Sequence, residues 1–238
     1  MDVRNTLKTP SGDARWRGTI NGAGLTQDWI DDLIDDGYGR MMTVGAQETG
    51  IVGGGAGTVI DPDQPEIAIG VPEGTVWIPL RLAAQVEAGL IAADNDTNRI
   101  VWGVDTRGAL QGPLSAETCT IETPTNMRTD LGYGSVCQCA SAFTADMAIK
   151  PKYGAASDPY AGVAHEMTEL ARAAERADIT TAAGLLYQRL ELVYEPLRKP
   201  RLVGPCTVLG FWSGTVATIG GYAQWNWLEV PKRLLFRS

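Results

Sequence analysis

The most distinctive hydrophobic pattern in the chain lies near its C-terminus. Residues 202–228 contain no Asp, Glu, Lys, Arg or His, and a run of this length could cross a bilayer, which needs about 20 mostly apolar residues. Pro205 and several glycines interrupt the run, and apolar and polar residues alternate over 222–230. Such interruption and alternation are typical of strands separated by tight turns. The pattern therefore predicts two or three buried strands rather than a membrane helix.

Alternation of the same kind begins after residue 58. Residues 65–72 alternate, Glu73-Gly74 predicts a turn, and residues 75–87 form one long alternating strand. On this long strand we expect a single apolar face, made of Val76, Ile78, Leu80, Leu82, Ala84 and Val86. Further strands are predicted at 99–105, 117–123, 135–149, 185–194, 201–209, 215–219 and 222–230.

One helix is predicted between these strands. Asp158 and Pro159 supply a cap and a first-turn proline. Apolar residues then recur at helical spacing, in the order Met167, Leu170, Ala171 and Ala174. The charged residues between them would form a solvated face. The sequence thus predicts a helical insertion from about 158 to 183.

The first 57 residues differ from the rest, because they are polar and rich in glycine. A short helix is predicted over 26–34, capped by Thr26. A glycine-rich run over 50–57 follows, and it lacks the Gly-Lys-Ser/Thr ending of a phosphate-binding loop. We interpret residues 1–57 as an N-terminal arm with a flexible hinge, whose apolar residues need a surface to pack on.

Together these elements predict a mainly β protein. The expected architecture is an antiparallel two-sheet sandwich of eight to ten strands over residues 58–238, with one inserted helical connection and the extended N-terminal arm. The jelly roll is the commonest sandwich with long strands and helical excursions. No period of 20 to 50 residues repeats, which argues against a propeller or a solenoid.

Candidate chemistry is scarce. His165 is the only histidine, so a metal site with two or more imidazoles and the HExxH pattern are both excluded. No serine has the G-x-S-x-G context. We predict no catalytic residue, no metal site and no cofactor. A hydrolase that uses His165 with Ser135 or a cysteine is kept as a minor alternative, as is calcium at Asp94 and Asp96 instead of a plain turn.

The net charge and the cysteine positions argue against further classes of function and site: direct nucleic-acid binding and a cysteine metal site are not expected. The net charge is −8 and no long basic block is present, so direct nucleic-acid binding is not expected. No basic and apolar leader begins the sequence. The four cysteines lack metal-site spacing, and the single residue between Cys137 and Cys139 predicts that both face the same side of a strand. We expect buried free thiols, with a bridge to Cys119 or Cys206 as the alternative.

Tryptophan is abundant, with seven residues against three phenylalanines. Trp77, Trp102 and Trp227 fall within predicted strands, so we expect them to be internal. Tryptophans in the arm or beside a turn are candidates to anchor an oligomer interface. The predicted interface residues are Trp16, Trp29, Ile30, Leu33, Ile34 and Trp212.

The glycine-hinged arm, the strand-rich body, the helix in a long connection and the charge-poor stretch from Gly210 to Trp227 together resemble the single jelly-roll structural proteins of virus and bacteriophage particles. The resemblance implies a non-enzymatic capsid, vertex or decoration subunit that self-assembles in the virion, with copies of itself and other virion proteins as partners. The arm is acidic, with Asp28, Asp31, Asp32, Asp35 and Asp36. This charge suits a shell near an internal viral membrane, or a decoration or vertex role, better than genome wrapping. The main alternative is a carbohydrate-binding β-sandwich module of a receptor-binding protein, with exposed tryptophan platforms and calcium at 94–96.

Overall fold

The computed structural model describes residues 4–9, 12–18, 24–25, 29–46, 50–52, 60, 64–88, 97–106, 118–145, 147, 167–176, 188–213 and 220–235. The protein is mainly β. In chain order the elements are β1 Arg4–Thr9, β2 Gly12–Gly18, β3 Gly24–Leu25, α1 Trp29–Asp35, β4 Gly39–Val44, β5 Ile51–Val52, β6 Ile67–Val71, β7 Thr75–Ala88, β8 Thr97–Asp105, β9 Thr120–Glu122, β10 Thr125–Asn126, β11 Gln138–Ser141, β12 Thr168–Arg176, β13 Gln188–Tyr194, β14 Leu202–Val203, β15 Cys206–Ser213, β16 Gly220–Pro231 and α2 Lys232–Leu235.

Two antiparallel sheets make up the body. The seven-stranded sheet has the order β10-β4-β16-β7-β13, with β14 paired to β7 and β5 paired to β16. The six-stranded sheet has the order β12-β8-β15-β6-β11-β9. Strands β1, β2 and β3 pair with one another in a separate small sheet.

Eight body strands are paired in a nested order. The first pairs with the last, β4 with β16, and the next ladders inward are β6 with β15, β7 with β13 and β8 with β12. All four ladders are antiparallel. Two more ladders, β16 with β7 and β15 with β8, join the nested pairs into the two sheets. Numbered 1 to 8 in chain order, the eight strands are β4, β6, β7, β8, β12, β13, β15 and β16. In these numbers the seven-stranded sheet contains the order 1-8-3-6 and the six-stranded sheet contains the order 2-7-4-5.

The edge strands of one sheet lie close to those of the other, in sequence on one side and in space on the other. On one side β9 ends the six-stranded sheet and β10 ends the seven-stranded sheet, and residues 123–124 alone separate these two strands. On the other side the edges are β12 and β13, which contact each other.

The core between the sheets is rich in tryptophan. Trp77 and Trp227 stack with ring centroids 6.0 Å apart, and Trp102 meets Trp225 edge to face at 5.0 Å. All four side chains are fully buried, which confirms the prediction that Trp77, Trp102 and Trp227 are internal. Each such ring pair contributes about 0.5–1.5 kcal/mol beyond the area that it buries.

Strand β7 does not have the single apolar face that its alternation predicts. Its register against β16 shifts, because Asn226 lies opposite Arg81 whereas Trp227 lies opposite Pro79, which leaves Leu80 as an extra residue. Before this bulge Val76 and Ile78 pack under α1, and after it the even-numbered residues Leu82, Ala84 and Val86 face the inter-sheet core. The one-face prediction is wrong because a bulge reverses which face the following residues occupy.

The helix predicted for residues 158–183 is wrong over residues 168–176. These residues form β12, which pairs with β8 from Thr168 to Arg176, with one register shift at Leu170. Ala171 and Ala173 pack against the inter-sheet core. Alanine, leucine, glutamate and arginine favour helices locally, but the ladder with β8 and the burial of the alanines override that preference. Residues 158–166 and 177–183 lie outside the described residues.

Part of the N-terminal region belongs to the body and not to the extended arm that the sequence predicts. Helix α1 confirms the predicted helix over residues 29–34, whereas residues 26–28, with the predicted cap Thr26, lie outside the described residues. Strand β4, which the prediction assigned to the arm, is an inner strand of the seven-stranded sheet because it pairs with both β10 and β16. The glycine-rich run is described only at residues 50–52, where β5 pairs with β16. The division at residue 57 otherwise stays a prediction.

The C-terminal stretch folds as strands, as its alternation predicts. It contains β15 and β16, whereas the strand predicted at 215–219 lies outside the described residues. Of the strand predicted at 135–149, β11 is the part that forms among the described residues 135–145 and 147. In the part of the chain that the structure describes, no helix has the length and apolar character needed to span a bilayer.

Candidate functional site

A cleft of about 480 Å³ opens at the end of the seven-stranded sheet where β4 and β7 begin and β16 ends. The chain reaches this cleft at four places: the link from α1 to β4, the turn between β6 and β7, the segment before β11, and the end of β16. The lining residues are Asp36, Gly37, Tyr38, Arg40, Glu73, Gly74, Thr75, Tyr133, Gly134, Val136, Glu229 and Pro231.

The floor of the cleft holds a buried pair of opposite charges. Arg40 on β4 is 4% exposed and Glu229 on β16 is 3% exposed, and Nε of Arg40 lies 3.7 Å from Oε2 of Glu229. Arg40 Nη1 donates to the carbonyls of Gly37 at 2.7 Å and Gly39 at 2.9 Å. Its Nη2 donates to the carbonyl of Gly134 at 3.0 Å. The guanidinium therefore ties β4 to the segment before β11.

Glu229 holds the same segment from the other side. Its Oε1 accepts hydrogen bonds from Ser135 Oγ at 2.6 Å and from Trp227 Nε1 at 2.9 Å. Its Oε2 accepts from the amide of Val136 at 2.8 Å. A buried carboxylate is tolerated only when it is paired and hydrogen-bonded, and Glu229 meets both conditions. The pair is thus a polar anchor that fixes residues 134–136 on the end of the sheet.

The thiols beside this anchor are held in their neutral form. Burial raises the pKa of Cys137, and the negative charge of Glu229 raises it further. Burial also raises the pKa of Cys139, and it raises the pKa of Cys206 to about 12. Because the thiolate is the reactive form, these cysteines behave as small apolar side chains at neutral pH.

The structure bears out the main expectation for the cysteines. All four are free. Cys137 and Cys139 belong to the same core cluster, which confirms that they face the same side. No metal-binding group of His, Cys, Asp or Glu occurs among the residues that the structure describes.

The rim of the cleft is aromatic and acidic. Tyr133 is 63% exposed, Tyr38 is partly buried, and Asp36 and Glu73 are both exposed. The turn that presents Glu73 depends on Gly74, whose φ of +81° is a left-handed conformation that glycine adopts without strain. Carboxylates beside aromatic rings are suited to a positively charged group, above all a guanidinium.

The predicted interface residues are not brought together at this cleft. Trp29, at the start of α1, is 42% exposed, and the guanidinium of Arg201 lies 5.9 Å from its ring centroid. Ile30, Leu33 and Ile34 pack on the outer face of the chain's own seven-stranded sheet, so they already have a surface within the chain.

The two remaining predicted interface tryptophans differ from Trp29. Trp212 is fully buried in the inter-sheet core, and its Nε1 donates to the carbonyl of Ile51 at 3.0 Å. It is therefore not available to a partner, because β5 covers it. Trp16 lies in β2 opposite Asn5, and its side chain is outside the described part of the protein.

Two sequence alternatives fall on residues that the structure does not describe. His165, and Asp94 with Asp96 as a calcium site, both lie outside the described residues. Ser135, the suggested partner of His165, donates its hydroxyl to Glu229.

Sequence reasoning missed Arg40 and Glu229. A signal for Glu229 was present, since it follows Trp227 by two residues on an alternating strand and so shares its buried face. Arg40 had no comparable signal. Its role depends on the ladder between β4 and β16, which joins opposite ends of the sequence.

Comparison of the chain with protein families, curated proteins and solved structures finds no match.

Proposed function

We propose that the chain is a jelly-roll structural subunit of a virus or bacteriophage particle, and that it assembles with copies of itself. The observation that carries this proposal is the nested order of the four ladders. A jelly roll is an eight-stranded, two-sheet arrangement found in viral capsid and lectin domains and in cupins. The orders 1-8-3-6 and 2-7-4-5 are those expected when one long hairpin of eight strands is rolled into two sheets.

The cleft supports a structural role more than a catalytic one. The Glu229 carboxylate accepts three hydrogen bonds and lies against Arg40. Ser135 donates its hydroxyl to this carboxylate, whose charge is already balanced by Arg40, while burial keeps the nearby Cys137 thiol neutral. The polar groups of the floor are thus used to hold the chain in place.

Exposed apolar side chains give the subunit surfaces for assembly. Tyr133 is 63% exposed and Val136 is 59% exposed, and both lie on the segment that Glu229 and Arg40 fix. Ile121 on β9 is also exposed, and Leu197 is fully exposed. Large apolar side chains on a rigid surface are typical of protein interfaces.

The carbohydrate-binding alternative has less support. It predicted exposed tryptophans on one sheet face, but among the six tryptophans with described side chains only Trp29 is exposed. In the described part of the chain, Tyr38 and Tyr133 beside the carboxylates of the cleft favour sugar binding. A screen against a glycan array tests this alternative, which predicts binding that is lost in Tyr133→Ala.

Assembly is tested on the purified full-length chain by native mass spectrometry and negative-stain microscopy. We expect discrete oligomers, rings or shells whose amount rises with protein concentration. The double variant Tyr133→Ser with Val136→Ser should weaken assembly. Val193→Ser, which removes an exposed apolar side chain from the opposite edge strand β13, serves as the matched control. A wild-type chain that stays monomeric at every concentration would overturn the proposal.

A further inference from the structure

We draw no further inference here: the strongest candidate, the surface loop between β13 and β14 that carries the fully exposed Leu197 beside Arg198 and Lys199, is an apolar and basic patch for which nothing in the structure shows what covers it.

Discussion

Trp227 donates its indole Nε1–H to Oε1 of Glu229 at 2.9 Å, although the two residues are only two positions apart on the same strand. The strand places both side chains on its buried face, so a ring of the tryptophan core is joined directly to the floor of the cleft. Because Glu229 also binds Ser135 and Val136, the core sets the position of the exposed segment that carries Tyr133 and Val136.

Removing the carboxylate of Glu229 should destabilise the whole sandwich. Glu229→Ala leaves the Arg40 charge buried without its partner, and such losses cost about 3–5 kcal/mol in the free energy of unfolding. Urea unfolding followed by tryptophan fluorescence measures the change. Glu73→Ala is the matched control, because Glu73 is exposed at the rim of the same cleft and its loss should change stability by less than about 0.5 kcal/mol.

A double variant tests the same prediction. Replacing both members of the pair with apolar residues, as in Arg40→Met with Glu229→Leu, should recover part of the stability lost in Glu229→Ala, because no buried charge is then left alone. A Glu229→Ala variant as stable as the wild type would show that the anchor contributes nothing to the fold.

The parts of this fold that the sequence predicts are those whose pattern has one interpretation. Strands β7 and β16 are long and alternating, so their existence was predictable. Strand β12 was not, since its alanines and arginines fit a helix equally well and only the ladder with β8 decides between them. The Arg40–Glu229 pair was also hidden, because the nested topology that brings its two strands together is set by contacts far apart in the sequence.

Gly210 is packed so closely that one added methyl group should destabilise the core. A Cβ on Gly210 would lie 2.7 Å from Cζ3 of Trp102 and 2.8 Å from Cζ2 of Trp225. Both rings are fully buried, so neither can move aside without disturbing the core. Gly210→Ala should lower the free energy of unfolding by about 1–3 kcal/mol. Gly132→Ala is the control, since a Cβ there meets nothing within 4 Å, and equal stabilities of the two variants would contradict the packing.

The buried thiols predict how stability depends on pH above neutrality. An unfolded thiol ionises near pH 8.5, whereas burial raises the pKa of Cys206 to about 12 and also raises the pKa values of Cys137 and Cys139. The folded state therefore keeps protons that the unfolded state loses. These thiols add no pH dependence to the free energy of unfolding below about pH 8, and they lower it as the pH rises further.

Urea unfolding at pH 7, 8, 9 and 10 measures this dependence. A variant with alanine in place of Cys137, Cys139 and Cys206 should lose stability less steeply between pH 8 and 10 than the wild type. Equal slopes for the wild type and the triple variant would show that the three thiols do not titrate differently on unfolding.

The bulge at Leu80 predicts that a deletion at this position is tolerated better than a deletion at a paired position of β7. Without Leu80, Pro79 and Arg81 would keep their partners on β16, so the ladder would be continuous and Leu82, Ala84 and Val86 would still face the core. Without Ala83, either Arg81 would take the core position of Leu82, or Ala84 and Val86 would be turned away from the core. Deletion of Leu80 should therefore cost only about 1–2 kcal/mol, because the lost side chain is partly buried, whereas deletion of Ala83 should prevent cooperative folding. Circular dichroism and urea unfolding measure both variants, and a Leu80 deletion as damaging as the Ala83 deletion would show that the fold requires the extra residue.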